Sequence, residues 1–318
     1  MKVIKSSVEI INQEPGIIGM KKHIERVGRI SYKSEGKITE NSYEKFIEML
    51  YSRGHWAVFN LGTVYLKFSG NDVDFARLYS IFREHPFSKI RNIGNDYYIT
   101  TDFRVICQFK LEKDMEKYWC DPTPHHYLKV TTHWICSRST SHQIIRHSSL
   151  RPIQESQRYV NYCLDKNGNC ITYILPQWAY DVRDEIGSTV DSLTGMSREY
   201  IYDLDGEELW EELCVLDRTV ASRDNLWKAI ETEYFNEINS EDGEKLKPED
   251  ARGVLCNDTK TELCLTGYVS DWWYDKSKNP DSPEKCGFFN LRMAPDAQRD
   301  VRVLAEDLYN QFIEASLI

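Results

Sequence analysis

The stretch that most constrains this chain runs from Ser141 to Tyr159, Ser-His-Gln-Ile-Ile-Arg-His-Ser-Ser-Leu-Arg-Pro-Ile-Gln-Glu-Ser-Gln-Arg-Tyr. Thr140 offers an N-cap before it. Arg151-Pro152 offers a stop, because the residue before a proline is pushed out of the helical region. The spacing predicts a helix over 141–148 with Gln143, Arg146 and His147 at i, i+3 and i+4 on one face. Ile144 and Ile145 then turn toward a core. Beyond the break a second polar cluster follows, Gln154, Glu155, Ser156 and Arg158, ending on Tyr159. Guanidinium groups bind a phosphate monoester bidentately, and serine beside fresh backbone N–H groups completes such a cradle. On the residues alone two readings stand: an anion site, or a solvated helix face followed by a turn.

Composition narrows the classes. At 318 residues and 37.4 kDa the chain has ample material for a core. No apolar run approaches the roughly 20 residues needed to span a bilayer, so no membrane role is expected. The opening Met1 to Ser7 has no apolar signal region, and nine cysteines without compact spacing suit free thiols. A cytoplasmic location is the expectation. A net charge of −10 argues against a nucleic-acid surface. His125, His126, His133 and Cys136 lack four-ligand spacing, so no metal is expected.

Along the chain the pattern is mixed. Strands are expected at 3–11, 62–68 and 127–136, with 97–101 and 104–109 as a pair and 261–269 late in the chain. Asn167-Gly168 reads as a hairpin turn. Asn41-Ser-Tyr-Glu44 reads as a capping box opening a helix that stops at Gly54. Further helices are expected at 72–83, 206–219 and 222–238, with Leu226, Ile230 and Tyr234 on one face of the last. Pro248 takes a helix N1 position. A final helix carries Ala297, Val301, Leu304, Leu308 and Phe312 in one stripe. The fold class is α+β, a largely antiparallel mixed sheet flanked by helices, in one domain over 1–318 with surface insertions near 69–97 and 275–286.

Gln143-x-x-Arg146-His147 followed by Ser156-x-Arg158-Tyr159 resembles the defining motif of the flavin-dependent thymidylate synthases, or thymidylate synthase-complementing proteins. The family's Arg-His-Arg is followed by a serine at the spacing of Ser156. Further likenesses follow in order: Gly54-His55 before Gly62-Thr-Val-Tyr-Leu66, Pro248-Glu-Asp-Ala-Arg252-Gly-Val-Leu255, and Phe289-Asn-Leu-Arg292 before Ala297-Gln. The stretch from Gln154 to Tyr162 resembles a phage and bacterial subgroup.

The resemblance implies a homotetramer with active sites between subunits. Each site would hold FAD and dUMP and methylate dUMP at C5, with carbon from methylenetetrahydrofolate and NADPH as reductant. It places Gln143, Arg146, Gln154, Glu155, Ser156, Gln157, Arg158 and Arg252 on dUMP. Arg292 would face the uracil as the catalytic cation, and Thr63, Arg146, His147 and Ser148 would meet FAD. The sequence departs from the pattern on the flavin and folate side: Ser148 for arginine, Asn60-Leu61 for Glu-His, and Tyr268 and Ser270 for Asn-x-Arg. Weaker FAD than dUMP binding is therefore expected, unless Arg151 or the Trp272-Trp273 pair compensates. Two alternatives stay open: a variant C5 enzyme (hydroxymethyl product or dCMP substrate), and a dUMP-binding protein without flavin chemistry.

Overall fold

A computed structural model describes residues 1–164, 170–179, 207–240, 245–275 and 287–318. The fold is α+β, with antiparallel sheets packed by helices. The opening stretch is two strands, β1 (Lys2–Ile4) and β2 (Ser7–Ile11), because each serves a different partner. Helices α1 (Gly16–Tyr32) and α2 (Ser42–Ser52) follow, then β3 (Thr63–Ser69), α3 (Phe75–Glu84), β4 (Lys89–Ile93) and β5 (Asp96–Asp102). Next come α4 (Phe103–Gln108), α5 (Glu112–Met115), β6 (Lys129–Ser137), α6 (Arg138–Ile144), β7 (Arg151–Gln154) and β8 (Thr172–Ile174). The remainder is α7 (Glu207–Asn239), α8 (Pro248–Ala251), β9 (Lys260–Tyr268), α9 (Val269–Trp272), α10 (Phe288–Arg292) and α11 (Arg299–Glu314).

The central sheet runs β2-β6-β9-β7, all antiparallel, with Thr131 opposite Thr266 and Arg151 opposite Thr266 from the other side. β7 is an edge strand, which is where Pro152 is tolerated, since a proline cannot donate to a ladder. A second sheet orders β3-β5-β4, with Thr63 opposite Asp102 and Lys89 opposite Thr100. β1 pairs in parallel with β8.

Several local expectations change. Phe103–Gln108 is a helix, because Phe103, Val105, Ile106 and Cys107 all bury and no partner strand is left for them. The true partner of β5 is β4, reached through a turn in which Gly94 takes φ +63°. The capping box at α2 does not form: the Ser42 hydroxyl instead donates to Glu25 Oε2 at 2.9 Å. α7 is one continuous helix, and its buried face carries Trp227 and Tyr234 while Leu226 is 55% exposed. Of the expected stripe Tyr234 is buried and Ile230 packs against the same cluster, while Trp227 takes the place expected of Leu226. Ala297 precedes α11, whose Val301, Leu304, Leu308 and Phe312 are buried as expected. The turn at Asn167-Gly168 and positions 276–286 of the second expected insertion lie outside the described residues. In the first, 69–97, Leu78 and Phe82 are fully buried.

Three apolar clusters result. One packs α1 and α2 against β3 and β5 through Met20, Ile24, Phe59 and Leu66. A second packs α10 and α11 on the central sheet around Trp134, Trp272 and Phe288. The third joins Val160 and Tyr162 to Tyr173, Trp227, Tyr234 and Ala251. Among the described residues no helix is long and apolar enough to cross a membrane.

Candidate active site

The motif helix starts earlier than its sequence suggests. Ser137, not Thr140, is the N-cap, and its hydroxyl accepts the Thr140 N–H at 3.2 Å. α6 ends at Ile144, and Arg146 and His147 lie in the turn beyond it. Ile144 is buried while Ile145 is exposed. Leu150, also buried, pins the far end of the turn before Arg151 enters β7. A short helix, a turn and an edge strand thus replace the single helix face.

The turn is closed from a distant part of the chain. Arg292 is the last residue of α10, and Phe288 and Phe289 anchor that helix in the core. Gly287 starts it in close contact with Trp272, where a Cβ would come 2.7 Å from the Trp272 carbonyl oxygen. Arg292 Nε donates to His147 Nε2 at 2.8 Å, and Nη2 donates to the Gln143 carbonyl at 2.6 Å. Nη1 stands 3.4 Å from Gln143 Oε1. The His147 ring packs on Phe288 with centroids 4.8 Å apart. An imidazole that accepts at Nε2 carries its proton on Nδ1 and is neutral. Burial, then the Arg292 charge, pulls the His147 pKa down to about 4. Arg292 is itself disfavoured as a cation by burial and by Arg146, which places a second guanidinium near the same spot. Gln143, His147 and Arg292 form one hydrogen-bonded group, with Arg146 exposed beside it.

The second half of the motif is built differently. Gln154 donates to Ser141 Oγ at 2.9 Å and to Thr261 Oγ1 at 3.1 Å, tying β7 to α6 and β9. Glu155 is 3% exposed, and its Oε2 lies 3.2 Å from Lys260 Nζ and 3.8 Å from Lys33 Nζ. Glu262, in the same group, pairs with both lysines and with His133 Nε2. These partners hold its carboxyl well below the usual carboxylate range despite burial. Two lysines thus neutralise two carboxylates directly before Ser156. This network has no local sign in the sequence, because Lys33 and Lys260 come from distant elements.

Ser156 Oγ accepts the Arg158 N–H at 3.4 Å, and Gln157 Nε2 is buried beside Tyr162. Arg158 and Arg252 are both exposed; Arg252 Nε donates to the Glu249 carbonyl at 3.0 Å. Val160 and Ala251, close in sequence to these two arginines, share one apolar cluster.

Thr63 lies elsewhere. Its backbone N–H and C=O are both bonded by the Gln13 side chain at 2.8 Å. With Tyr65, Trp119, Lys129 and Thr131 it lines a cavity of about 260 Å³. The backbone before it approaches α1 closely, since a Cβ on Gly62 would stand 2.5 Å from Ile24 Cδ1. Ser148 is exposed, and its carbonyl accepts from Arg151 Nη1 at 3.4 Å. Arg151 Nε is buried without a hydrogen-bond partner among the described residues. Two guanidiniums, an unsatisfied buried N–H and a neutral imidazole fit an anionic flavin dinucleotide: Arg146 and Arg151 would hold phosphate, and His147 would meet the ring. Leu61 is fully buried in the core, and so is Trp272, which corrects its proposed role as a flavin platform. Trp272 packs on Phe288, Phe289 and Phe312 instead.

Comparison with known proteins bears on this arrangement. Two solved structures align over 99% of this chain, both of the UMP/dUMP methylase PolB from Streptomyces cacaoi. The one bound with 5-Br dUMP is 13% identical, aligned over 93% of its own chain at a TM-score of 0.39. The one bound with 5-Br UMP is 12% identical, aligned over 92% at a TM-score of 0.39. No curated protein matches the chain. The family model described as Thymidylate synthase complementing protein matches residues 110–276, a span holding the 141–159 motif and Arg252. That span is more than half of the 318 residues, and the chain belongs to the thymidylate synthase complementing protein family.

Proposed function

We propose that this protein methylates C5 of a pyrimidine deoxynucleotide, converting dUMP to dTMP with methylenetetrahydrofolate as carbon donor and NADPH as reductant. The observation that carries this reading is the Gln143–His147–Arg292 group, which presents a fixed cation beside a neutral imidazole. An arginine facing the uracil edge stabilises negative charge on the ring and so enriches C5 in electrons. It stays charged throughout, because guanidinium does not deprotonate at working pH. Arg158, Ser156 and Arg252 hold the phosphate, and Gln154 orients the loop that carries them. Glu155 acts through its lysine partners by fixing the start of that loop. Arg146, Arg151 and His147 would hold FAD, whose reduced ring would be the source of the hydride needed to complete the methyl group.

The exposure of Arg146, Arg158 and Arg252, and of Tyr159 at 64%, supports a homotetramer in which a second copy covers the site. The free thiols among the described cysteines support a cytoplasmic setting. The test is release of tritium from dUMP labelled at C5, measured with FAD, NADPH and methylenetetrahydrofolate present. Formation of dTMP is expected. Tight dUMP binding with no exchange or transfer under any reductant would refute the reading.

A further inference from the structure

β4 brings unusual chemistry to the end of the central sheet. Lys89 and Arg91 stand two apart on one face of this edge strand, where they meet Tyr268 and Tyr127. Lys89 Nζ lies 4.2 Å from the Tyr268 ring centroid and donates to Ser270 Oγ at 2.8 Å. Lys129 Nζ lies 5.6 Å from the same ring. The Tyr268 hydroxyl is locked by the Phe87 and Thr100 carbonyls at 2.9 and 2.8 Å. On the ring of that same Phe87 sits Arg151, 3.9 Å from its centroid. Two cations therefore share the Tyr268 ring, and a third lies on the ring of Phe87, whose carbonyl holds the Tyr268 hydroxyl.

Among the described residues the cations Lys89, Lys129 and Arg151 stand with the carboxylates Asp102 and Asp271. Lys129 pairs with Asp102, and Asp271 accepts the Tyr268 N–H at 2.9 Å. Burial, then the Arg151 charge and less so that of Lys89, pulls Lys129 down to about 7, while Asp271 opposes the shift. Crowded, partly desolvated cations are costly unless an anion joins them. Ser148, Ser149 and Ser270 are exposed, so the cluster opens to solvent along their hydroxyls. The two serines standing where the resembled family carries arginine, Ser148 and Ser270, each contact one of these cations.

We propose that Lys89 and Arg151 form the site for the diphosphate of a flavin dinucleotide, supplying from β4 and β7 the charge that positions 148 and 270 lack. This rests on the flavin part of the function proposed above. It also gives the 69–97 segment a role, since Phe87 and Lys89 are its contribution to the site.

The test is FAD titration of the intact protein with dUMP present, read by quenching of flavin fluorescence. Lys89→Gln keeps a hydrogen-bonding group near Ser270 and removes only the charge; Arg151→Gln does the same beside Ser148. Each should weaken FAD about tenfold or more, the effect of losing one charge-assisted contact. dUMP affinity by calorimetry should stay unchanged, which also shows that the variants are folded. Adding Ser270→Arg to Lys89→Gln should restore FAD binding. In the wild type, FAD affinity should fall more steeply with salt than in the double variant Lys89→Gln/Arg151→Gln. FAD binding of wild-type strength and salt slope in both single variants would overturn the site and leave the proposed function intact. Failure of the wild type to take FAD while dUMP binds would overturn both.

Discussion

Replacing Arg292 by methionine gives the sharpest view of the site. The guanidinium makes two well-formed bonds, at 2.8 Å to His147 Nε2 and 2.6 Å to the Gln143 carbonyl. Bonds from a charged donor are worth about 1.5–3 kcal/mol each. Part of that is regained because Arg292 is only half-buried and water reaches the vacated acceptors. A loss of about 2 kcal/mol in folding stability is expected, with a larger loss in turnover. The more diagnostic readout is His147. Its pKa, about 4, is lowered first by burial and second by the Arg292 charge. Removing that charge raises it, while burial keeps it below the ordinary histidine value of about 6.5. Arg292→Lys restores charge but not the planar fork, so it should keep the pKa low, bind dUMP nearly as well, and still lose most of kcat. Proton NMR of the His147 ring through a pH titration, with calorimetry and kinetics on both variants, decides it. A His147 pKa that does not rise in Arg292→Met, or full turnover in Arg292→Lys, would refute the reasoning.

Other expectations follow from the same geometry. Arg158→Ala and Arg252→Ala should each weaken dUMP about ten- to hundredfold by calorimetry, the range for one charge-assisted phosphate contact; wild-type affinity in both would remove them from the site. Lys260→Met leaves Glu155 and Glu262 short of one of their two lysines, at 2% and 12% side-chain exposure. It should cost about 3–5 kcal/mol in urea unfolding, as for other broken buried pairs; a change under about 1 kcal/mol would show the network to be dispensable. His23 is held neutral at about 4 by burial and by Arg26, so the unfolded chain takes up a proton first as pH falls. Stability from this group is present above about pH 6.5 and erodes toward pH 4, by about 3 kcal/mol in all. His23→Asn should flatten that part of the urea midpoint against pH; an unchanged slope would contradict it.

What the sequence determined by itself was the matter that local rules control. Pro152 could only lie at a break or an edge, and it lies on edge strand β7. The β-rich runs became β3, β6 and β9 near their expected bounds, and the stripe from Val301 to Phe312 faces the core. The family was legible because its motif residues are close in sequence and keep their spacing. Tertiary structure decided everything that depends on competition between partners. Ser137 caps the helix in place of Thr140, and the helix ends at Ile144, which leaves Arg146 and His147 beyond it. Residues 104–109 read as a strand beside 97–101, yet β5 already had β3 and β4 beside it, and 103–108 bury as a helix. Glu155 reads as a ligand carboxylate until Lys33 and Lys260 are seen to neutralise it. Lys89 shows no local sign of belonging to a site. It does so because the second sheet lays β4 against the end of β9, and electrostatics act across space, whereas sequence patterns record only neighbours along the chain.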